Sequence, residues 1–271
     1  MFPHPSKANL VKTISALLIA GLLAVSSTAV ARDNPYDLLS QVLMPFAQVL
    51  SEKSKGGNRA LMLRAHLEQM TDMPPELAGV RVDLALQSPD KLRLEAPVLG
   101  ERLTICRRGQ EIWVYPGAKL EAVIAAAGND KQLPPPDKSY ELAPFRLPIP
   151  EKQLVFLPVL FQAKHAGTQA VGDKPCQVLN LQLMPELARA LESKEDQRWS
   201  ARLWVDAEKK PARLVVQRPG WSITLRFEEV KFSPSLPKTT WRPNAEEAAD
   251  VMKIEPWRYD QLLRGIVGIA Q

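Results

Sequence analysis

The sequence has few of the residues that most often carry enzymatic chemistry. Three His and two Cys are present among 271 residues. His66 and His165 each stand alone, without a second ligand at metal-binding spacing. The sequence also lacks a Gly-x-Ser-x-Gly elbow and a Gly-rich phosphate loop. The adjacent carboxylates Glu246 and Glu247 are predicted to be solvated rather than catalytic. We therefore predict no enzymatic activity, no metal site and no cofactor.

A strong excess of charge of one sign is also missing. The chain has 35 Lys and Arg against 30 Asp and Glu, a net charge of +5. Proteins that bind nucleic acid usually show a concentrated basic stripe and a recognisable module, so a nucleic-acid partner is not predicted. The hydrophobic share of 45% and the charged share of 24% are typical of a globular protein and exclude intrinsic disorder.

The longest apolar run lies at the N-terminus. Lys7 and Lys12 precede an apolar stretch over 14–25, and small residues follow over 26–31. This order is typical of a secretory signal peptide, and the run is shorter than the roughly 18 residues of a membrane-spanning helix, which disfavours a membrane anchor. We predict a signal peptide over residues 1–31, cleaved before Arg32, and a periplasmic protein that is soluble after cleavage.

Export changes how the two cysteines are interpreted. Cys106 and Cys176 would lie in an oxidising compartment, where two is the smallest number of thiols that can pair within one chain. We predict one disulfide between them. Two buried free thiols are the alternative.

The rest of the chain alternates between two periodicities. Residues 34–50 carry apolar side chains at helical spacing, which predicts an amphipathic helix. Residues 58–70 and the hairpin over 80–96 alternate apolar and polar side chains, which predicts antiparallel strands with one buried face. The same pattern continues to a short last strand near 239–242, about eleven strands in all. Further helices are predicted at 118–127, 151–162, 185–193 and 257–270.

These elements predict a single α+β domain. It extends over residues 32–271, because one antiparallel pattern continues through the whole region. A Pro-rich insertion lies near 129–150, and a C-terminal extension covers 243–271.

Three stretches of the strand pattern resemble a known family. Residues 88–97 form a Pro-containing turn that opens an extended strand, and residues 103–106 form the next strand. A turn at Gly109 then leads into Trp113-Val114-Tyr115. This arrangement resembles the hairpin core of the LolA-type periplasmic lipoprotein carriers and their LolA-like relatives. Later strands of the family are matched by segments at 172–183, 203–206 and 227–237.

The resemblance, which extends over about residues 59–241, implies both a fold and a function. The fold is a strongly curved, incompletely closed antiparallel sheet, a half-barrel of about eleven strands, with helices at 34–50 and 118–127 covering its concave face as a lid. Such a fold shields acyl chains from water, at about 0.8 kcal/mol per buried CH₂. The implied protein is a monomeric, non-catalytic periplasmic carrier for a lipid or an acylated, lipoprotein-type ligand, in transient contact with envelope membrane proteins.

The alternative is an envelope regulatory or scaffolding module that uses the same fold for protein contact. A carrier needs a continuous apolar cavity under a removable lid, whereas a scaffold can have a filled core. The alternating apolar residues of the first strands and the inner residues of the lid helix are our candidates for the cavity, although a dry structural core would show the same pattern. The predicted cavity residues are Leu39, Leu43, Phe46, Leu61, Leu63, Leu67, Val82, Leu84, Leu86, Leu92 and Leu94.

Overall fold

The structure of the protein is a computed structural model. It describes residues 34–51, 59–71, 78–98, 100–119, 140–147, 151–186 and 199–259. The chain divides into two compact units, Met1–Asn34 and Pro35–Gln271, and all elements below belong to the second. The predicted signal peptide, most of the Pro-rich insertion and most of the helices predicted at 118–127, 185–193 and 257–270 lie outside the described residues.

The first described element is helix α1 (Pro35–Val49). Pro35 opens it, at a position where the missing N–H is not needed, and Asp37 places a carboxylate in the first turn, where the helix dipole favours it. Leu39 and Val42 lie on its buried apolar face. The predicted amphipathic helix is confirmed.

In the described part of the chain, eleven strands form one antiparallel sheet. They are β1 (Ala60–Met70), β2 (Val80–Gln87), β3 (Lys91–Val98), β4 (Glu101–Arg108), β5 (Glu111–Tyr115), β6 (Phe161–Val171), β7 (Lys174–Leu183), β8 (Ser200–Val205), β9 (Pro211–Arg218), β10 (Trp221–Ser233) and β11 (Met252–Ile254). Their order across the sheet is β11-β5-β4-β3-β2-β1-β10-β9-β8-β7-β6, so β11 and β6 are edges and the sheet does not close. The predicted fold class, α+β with a curved, incompletely closed antiparallel sheet, is confirmed.

The last strand is not the one that the sequence predicts. Residues 239–241 lie in a 3-10 helix, Lys238–Trp241, and Arg242 follows it; Pro237 and Pro243 flank this stretch. Because proline has no N–H to donate to a ladder, these neighbours disfavour a strand there. The eleventh strand is β11, which pairs with β5.

Two further 3-10 helices lie in the described chain, Glu151–Leu160 and Glu247–Ala249. The first replaces the helix predicted over 151–162, and it ends because Phe161 already pairs with Leu183 in the ladder between β6 and β7. Within the described residues, no helix is long and apolar enough to cross a membrane.

The pairing register shows which residues share a face of the sheet. Leu63 of β1 lies opposite Leu84 of β2 and Val230 of β10, and Leu84 lies opposite Leu94 of β3. Directly opposed residues point to the same side, so these apolar residues share one face. Helix α1 packs on that face. We call it the concave face and the opposite one the convex face.

Both cysteines lie on the convex face, and the predicted disulfide between them is wrong. Cys106 and Cys176 are free, buried thiols. Six strands separate β4, which carries Cys106, from β7, which carries Cys176. Neighbouring strands are about 4.8 Å apart, whereas a disulfide needs Cα atoms within about 7 Å. Burial raises the pKa of both thiols, that of Cys106 to about 12.

The chain after β10 touches both faces. It crosses the convex face through two 3-10 helices, adds β11 beside β5, and buries Tyr259 on the concave face with Ile112 and Ile254. A glycine is needed where β11 meets the end of β5, because a Cβ at Gly117 would lie 2.6 Å from the Cβ of Met252.

Candidate functional site

The N-terminal half of α1 closes tightly on one wing of the concave face. Leu39 and Val42 pack against side chains of β6, β7 and β8. Leu39 has no exposed surface, and neither has Leu179 of β7 in the same cluster. Leu43 and Phe46, two predicted lid residues, are half-buried at the margin of this cluster. This wing is a filled core.

The C-terminal half of α1 reaches the centre of the sheet. Phe46 meets Phe232 of β10 edge to face, with ring centroids 5.0 Å apart. Pro45 lies between the two halves of the helix and cannot donate an intrahelical hydrogen bond. The two halves belong to different packing clusters. The N-terminal half packs with β6, β7 and β8, and the C-terminal half packs in a central cluster around Val49, Leu61, Leu86 and Val230. The central cluster contains five of the predicted cavity residues, Phe46, Leu61, Leu63, Leu86 and Leu92.

Four predicted cavity residues lie beyond both clusters. Leu67, Val82, Leu84 and Leu94 are half-buried, and Leu84 and Leu94 are direct cross-strand partners. They lie beside the central cluster on β1, β2 and β3, with Leu84 directly opposite Leu63 of that cluster. We call these four residues the open strip. It is an apolar surface that no packing cluster of the described residues includes.

A second segment covers the opposite wing of the concave face. Arg107 points from β4 into this face, where its Nη2 donates to the carbonyl oxygens of Leu142 at 3.2 Å and Ala143 at 2.8 Å. The Arg107 guanidinium lies 4.5 Å from the centre of the Phe145 ring. Burial lowers the pKa of Arg107. Residues 140–147 are thereby tied over β4, which leaves the open strip outside both covers.

The convex face of β3 and β4 carries an ionic network around a buried carboxylate. Glu247 accepts hydrogen bonds from Arg93 Nη2 at 2.5 Å, Thr104 Oγ1 at 2.8 Å and the Asn244 backbone N–H at 2.8 Å. Arg93 also pairs with Glu95 at 2.5 Å. Burial alone would raise the pKa of Glu247, but the hydrogen bonds outweigh it and the pKa is lowered. The prediction that Glu247 is solvated is therefore wrong.

A cleft of about 810 Å³ opens where β9 and β10 diverge. β10 pairs with β9 only from Trp221 to Arg226, so the residues from Phe227 to Phe232 line one wall and Pro211 and Ala212 line the other. The volume is within the range of about 300–1,000 Å³ that small-molecule sites occupy, but most of the lining residues are charged, among them Asp206, Lys210 and Glu228, so the cleft does not continue the apolar surface. Because Phe232 also contacts the lid, the cleft adjoins the C-terminal end of α1.

The structure places the predicted cavity residues on one face of the sheet but not in one site. All eight strand positions lie on the concave face of β1, β2 and β3, where Phe46 reaches them, whereas Leu39 and Leu43 pack against β6, β7 and β8. Seven of the eleven are part of packed clusters, and four form the open strip. Their role in ligand binding stays a prediction.

Sequence reasoning missed the two charged anchors, Arg107 and Glu247. A signal existed for Arg107, because it follows Leu103 and Ile105 at the apolar position of the β4 alternation. A local signal existed for Glu247 as well, because Asn244 and Glu247 have the spacing of a capping box and exchange backbone-to-side-chain hydrogen bonds. Its other partners, Thr104 and Arg93, are 143 and 154 residues away and no local pattern indicates them.

No protein-family model matches the sequence, and no curated protein matches it. Among solved structures, the lipoprotein LppX of Mycobacterium tuberculosis is 11% identical with a TM-score of 0.38, over 75% of this chain and 99% of LppX. MucB in the Pseudomonas aeruginosa MucA/MucB complex is 14% identical with a TM-score of 0.38, over 79% of this chain and 62% of MucB. The LolA superfamily protein NE2245 of Nitrosomonas europaea is 11% identical with a TM-score of 0.27, over 78% of this chain and 98% of NE2245. At these values, none of the three similarities assigns a function to this chain.

Proposed function

We propose that the chain is a non-catalytic periplasmic binding protein for a lipid or for the acyl group of an acylated protein, held on the concave face. The observation that carries this proposal is the open strip, a group of half-buried apolar residues beside a helix that is packed on the same face. The resemblance of residues 88–116 to the LolA-type carriers supports it.

The chemistry of the open strip suits an acyl chain. Leu67, Val82, Leu84 and Leu94 offer aliphatic carbon and no side-chain donor or acceptor. An acyl chain laid across them removes apolar surface from water on both sides, at about 0.8 kcal/mol per buried CH₂. Such contacts are non-directional, so they accept chains of different length.

Helix α1 gives the site a way to enlarge. Its C-terminal half is held by the central cluster, where Phe46 is half-buried against Phe232. Pro45 removes one intrahelical hydrogen bond at the junction with the tightly packed N-terminal half. Enlargement would require the C-terminal half to leave this cluster, in which Val49 is buried, and would extend the open strip towards Phe232 while Leu39 and Val42 stay in place.

The test is binding of a fluorescent fatty acyl probe to the delipidated protein. We expect saturable binding, and about tenfold weaker binding for the double variant Leu84→Ser/Leu94→Ser, because two of the four apolar contacts are lost. Met62→Ser, which changes an apolar residue on the convex face of β1, is the matched control and should bind as the unchanged protein does. Absence of saturable binding by the unchanged protein would refute the proposal.

A regulatory or scaffolding module is the second candidate function. The filled wing favours it, because Leu39 and Leu179 leave no space between α1 and the sheet there. Native mass spectrometry of protein purified from the cell envelope separates the two. A carrier should retain a lipid-sized mass, whereas a scaffold should have the mass of its polypeptide or of a complex with a protein partner.

A further inference from the structure

The 3-10 helix Glu151–Leu160 exposes a group of large apolar side chains. Val155 is 59% exposed, Phe156 61%, Val159 53% and Leu160 37%. We call these four residues the apolar patch. Single exposed apolar residues are common on protein surfaces, but four within six positions of one element form a contiguous surface of the kind that marks an interaction site.

The 3-10 helix is anchored on its inner side, which keeps the apolar patch at the surface. Leu154 has no exposed surface and Pro158 is buried, so the inner side of the 3-10 helix is anchored. The helix packs against α1, the proposed lid. At its end, Leu160 is tied to the sheet because its carbonyl oxygen accepts from the Met184 backbone N–H at 3.0 Å. The patch is therefore a fixed feature beside the lid.

The size of the apolar patch disfavours a protein partner. Four side chains exposed to this extent present on the order of 300–400 Å². A stable protein interface buries about 800 Å² on each partner. A surface of a few hundred Å² is enough for a group that enters the outer 5–10 Å or so of a bilayer.

The charge around the apolar patch favours an anionic surface. The segment from Glu151 to His165 contains two exposed Lys, Lys152 and Lys164, and one acid, Glu151, which begins the 3-10 helix. Basic residues beside an apolar surface attract anionic headgroups, by about fivefold in affinity for each Lys near the membrane.

We propose that the apolar patch docks the protein on the surface of a lipid bilayer that contains anionic lipid, with Phe156 and Val159 entering the interface. The biological role of this docking rests on the proposed function. Docking would bring α1 next to the membrane that supplies the acyl ligand. Binding at the bilayer surface requires no change in the sheet, because the patch is already exposed.

The experiment is flotation of the exported, purified protein with vesicles of phosphatidylethanolamine and phosphatidylglycerol. We expect the unchanged protein to float with the vesicles, and the double variant Phe156→Ser/Val159→Ser to bind at least about tenfold less, because two apolar anchors are lost. Met62→Ser is the matched control, as it removes an apolar side chain that is 38% exposed on the convex face, and it should float normally.

Three outcomes would overturn the docking proposal. They are failure of the unchanged protein to float, equal flotation of the double variant, and self-association in sedimentation experiments that the double variant abolishes. Acyl-probe binding, measured on the same preparations, keeps the two proposals apart. The Phe156→Ser/Val159→Ser variant should bind the probe normally. If no preparation binds the probe while the unchanged protein still floats, the proposed function fails and the docking surface stands.

Discussion

Residues on the two faces of the sheet are equally buried, but apolar contacts hold them on one face and hydrogen bonds hold them on the other. Leu39 on the concave side is 0% exposed, and Glu247 on the convex side is 1% exposed. Leu39 is held by non-directional apolar contacts, whereas Glu247 is held by three hydrogen bonds, each with its own geometry. The concave face can therefore adapt to changes of shape, including a bound acyl chain. On the convex face, the hydrogen bonds of Glu247 require one arrangement of their donors, and they tie the segment after β10 to the sheet.

The largest effect is expected from removal of the buried carboxylate. Glu247→Ala leaves the Arg93 guanidinium buried with Glu95 as its remaining ionic partner. We expect a loss of about 3–5 kcal/mol in the free energy of unfolding, the usual cost of breaking a buried ion pair from one side. Urea denaturation measures it. Glu246→Ala is the control, because Glu246 is exposed and should cost less than about 0.5 kcal/mol.

On the concave face, a truncation and a change of shape should give different results. Leu39→Ala should lower the free energy of unfolding by about 3 kcal/mol, because it leaves a cavity in the filled wing, while Leu39→Met should cost less than about 1.5 kcal/mol. Gln41→Ala, at an exposed position of α1, is the control. If Leu39→Met costs as much as Leu39→Ala, the concave face does not adapt, and its difference from the convex face disappears.

Acid should weaken the convex face through Glu247. Its pKa in the folded state is lower than the ordinary value of about 4.3, because the hydrogen bonds from Arg93, Asn244 and Thr104 outweigh its burial. The stabilisation is complete above the unfolded pKa and is lost as the pH falls through the folded pKa. Between about pH 5 and pH 2, the unchanged protein should lose more stability than Glu247→Gln. Parallel curves for the two proteins would contradict this assignment.

The same difference explains what could be predicted from the sequence. The concave face follows a period of two, so the alternation of apolar and polar residues alone places Leu61, Leu63, Leu84 and Leu86 on one face. The convex network joins Glu247 to Thr104 and Arg93, which are far away in the chain, and no local pattern encodes such contacts. The open strip could not be predicted either, because the alternation of apolar and polar residues does not show how far along the strands α1 covers the sheet.

The smallest expected effect is that of reducing agents on the two cysteines, where we expect no change in stability. A disulfide between Cys106 and Cys176 would close a loop of about 70 residues and contribute about 4 kcal/mol in the chain-entropy model. Free thiols contribute no such constraint, so a reducing agent should leave the midpoint of thermal unfolding unchanged. Alkylation should modify two thiols in the denatured protein and should be slow at Cys106 in the native protein, because burial raises the pKa of that thiol to about 12.

A lower midpoint in the reducing agent would contradict the structure in a specific way. Cys106 and Cys176 lie on the convex face at opposite wings, with six strands between their own. Pairing them would require the convex sides of β4 and β7 to meet, which would fold the sheet away from α1 and expose the concave face that α1 now covers. A reductant-independent midpoint is therefore the result that the strand order requires, because six strands keep the two thiols apart.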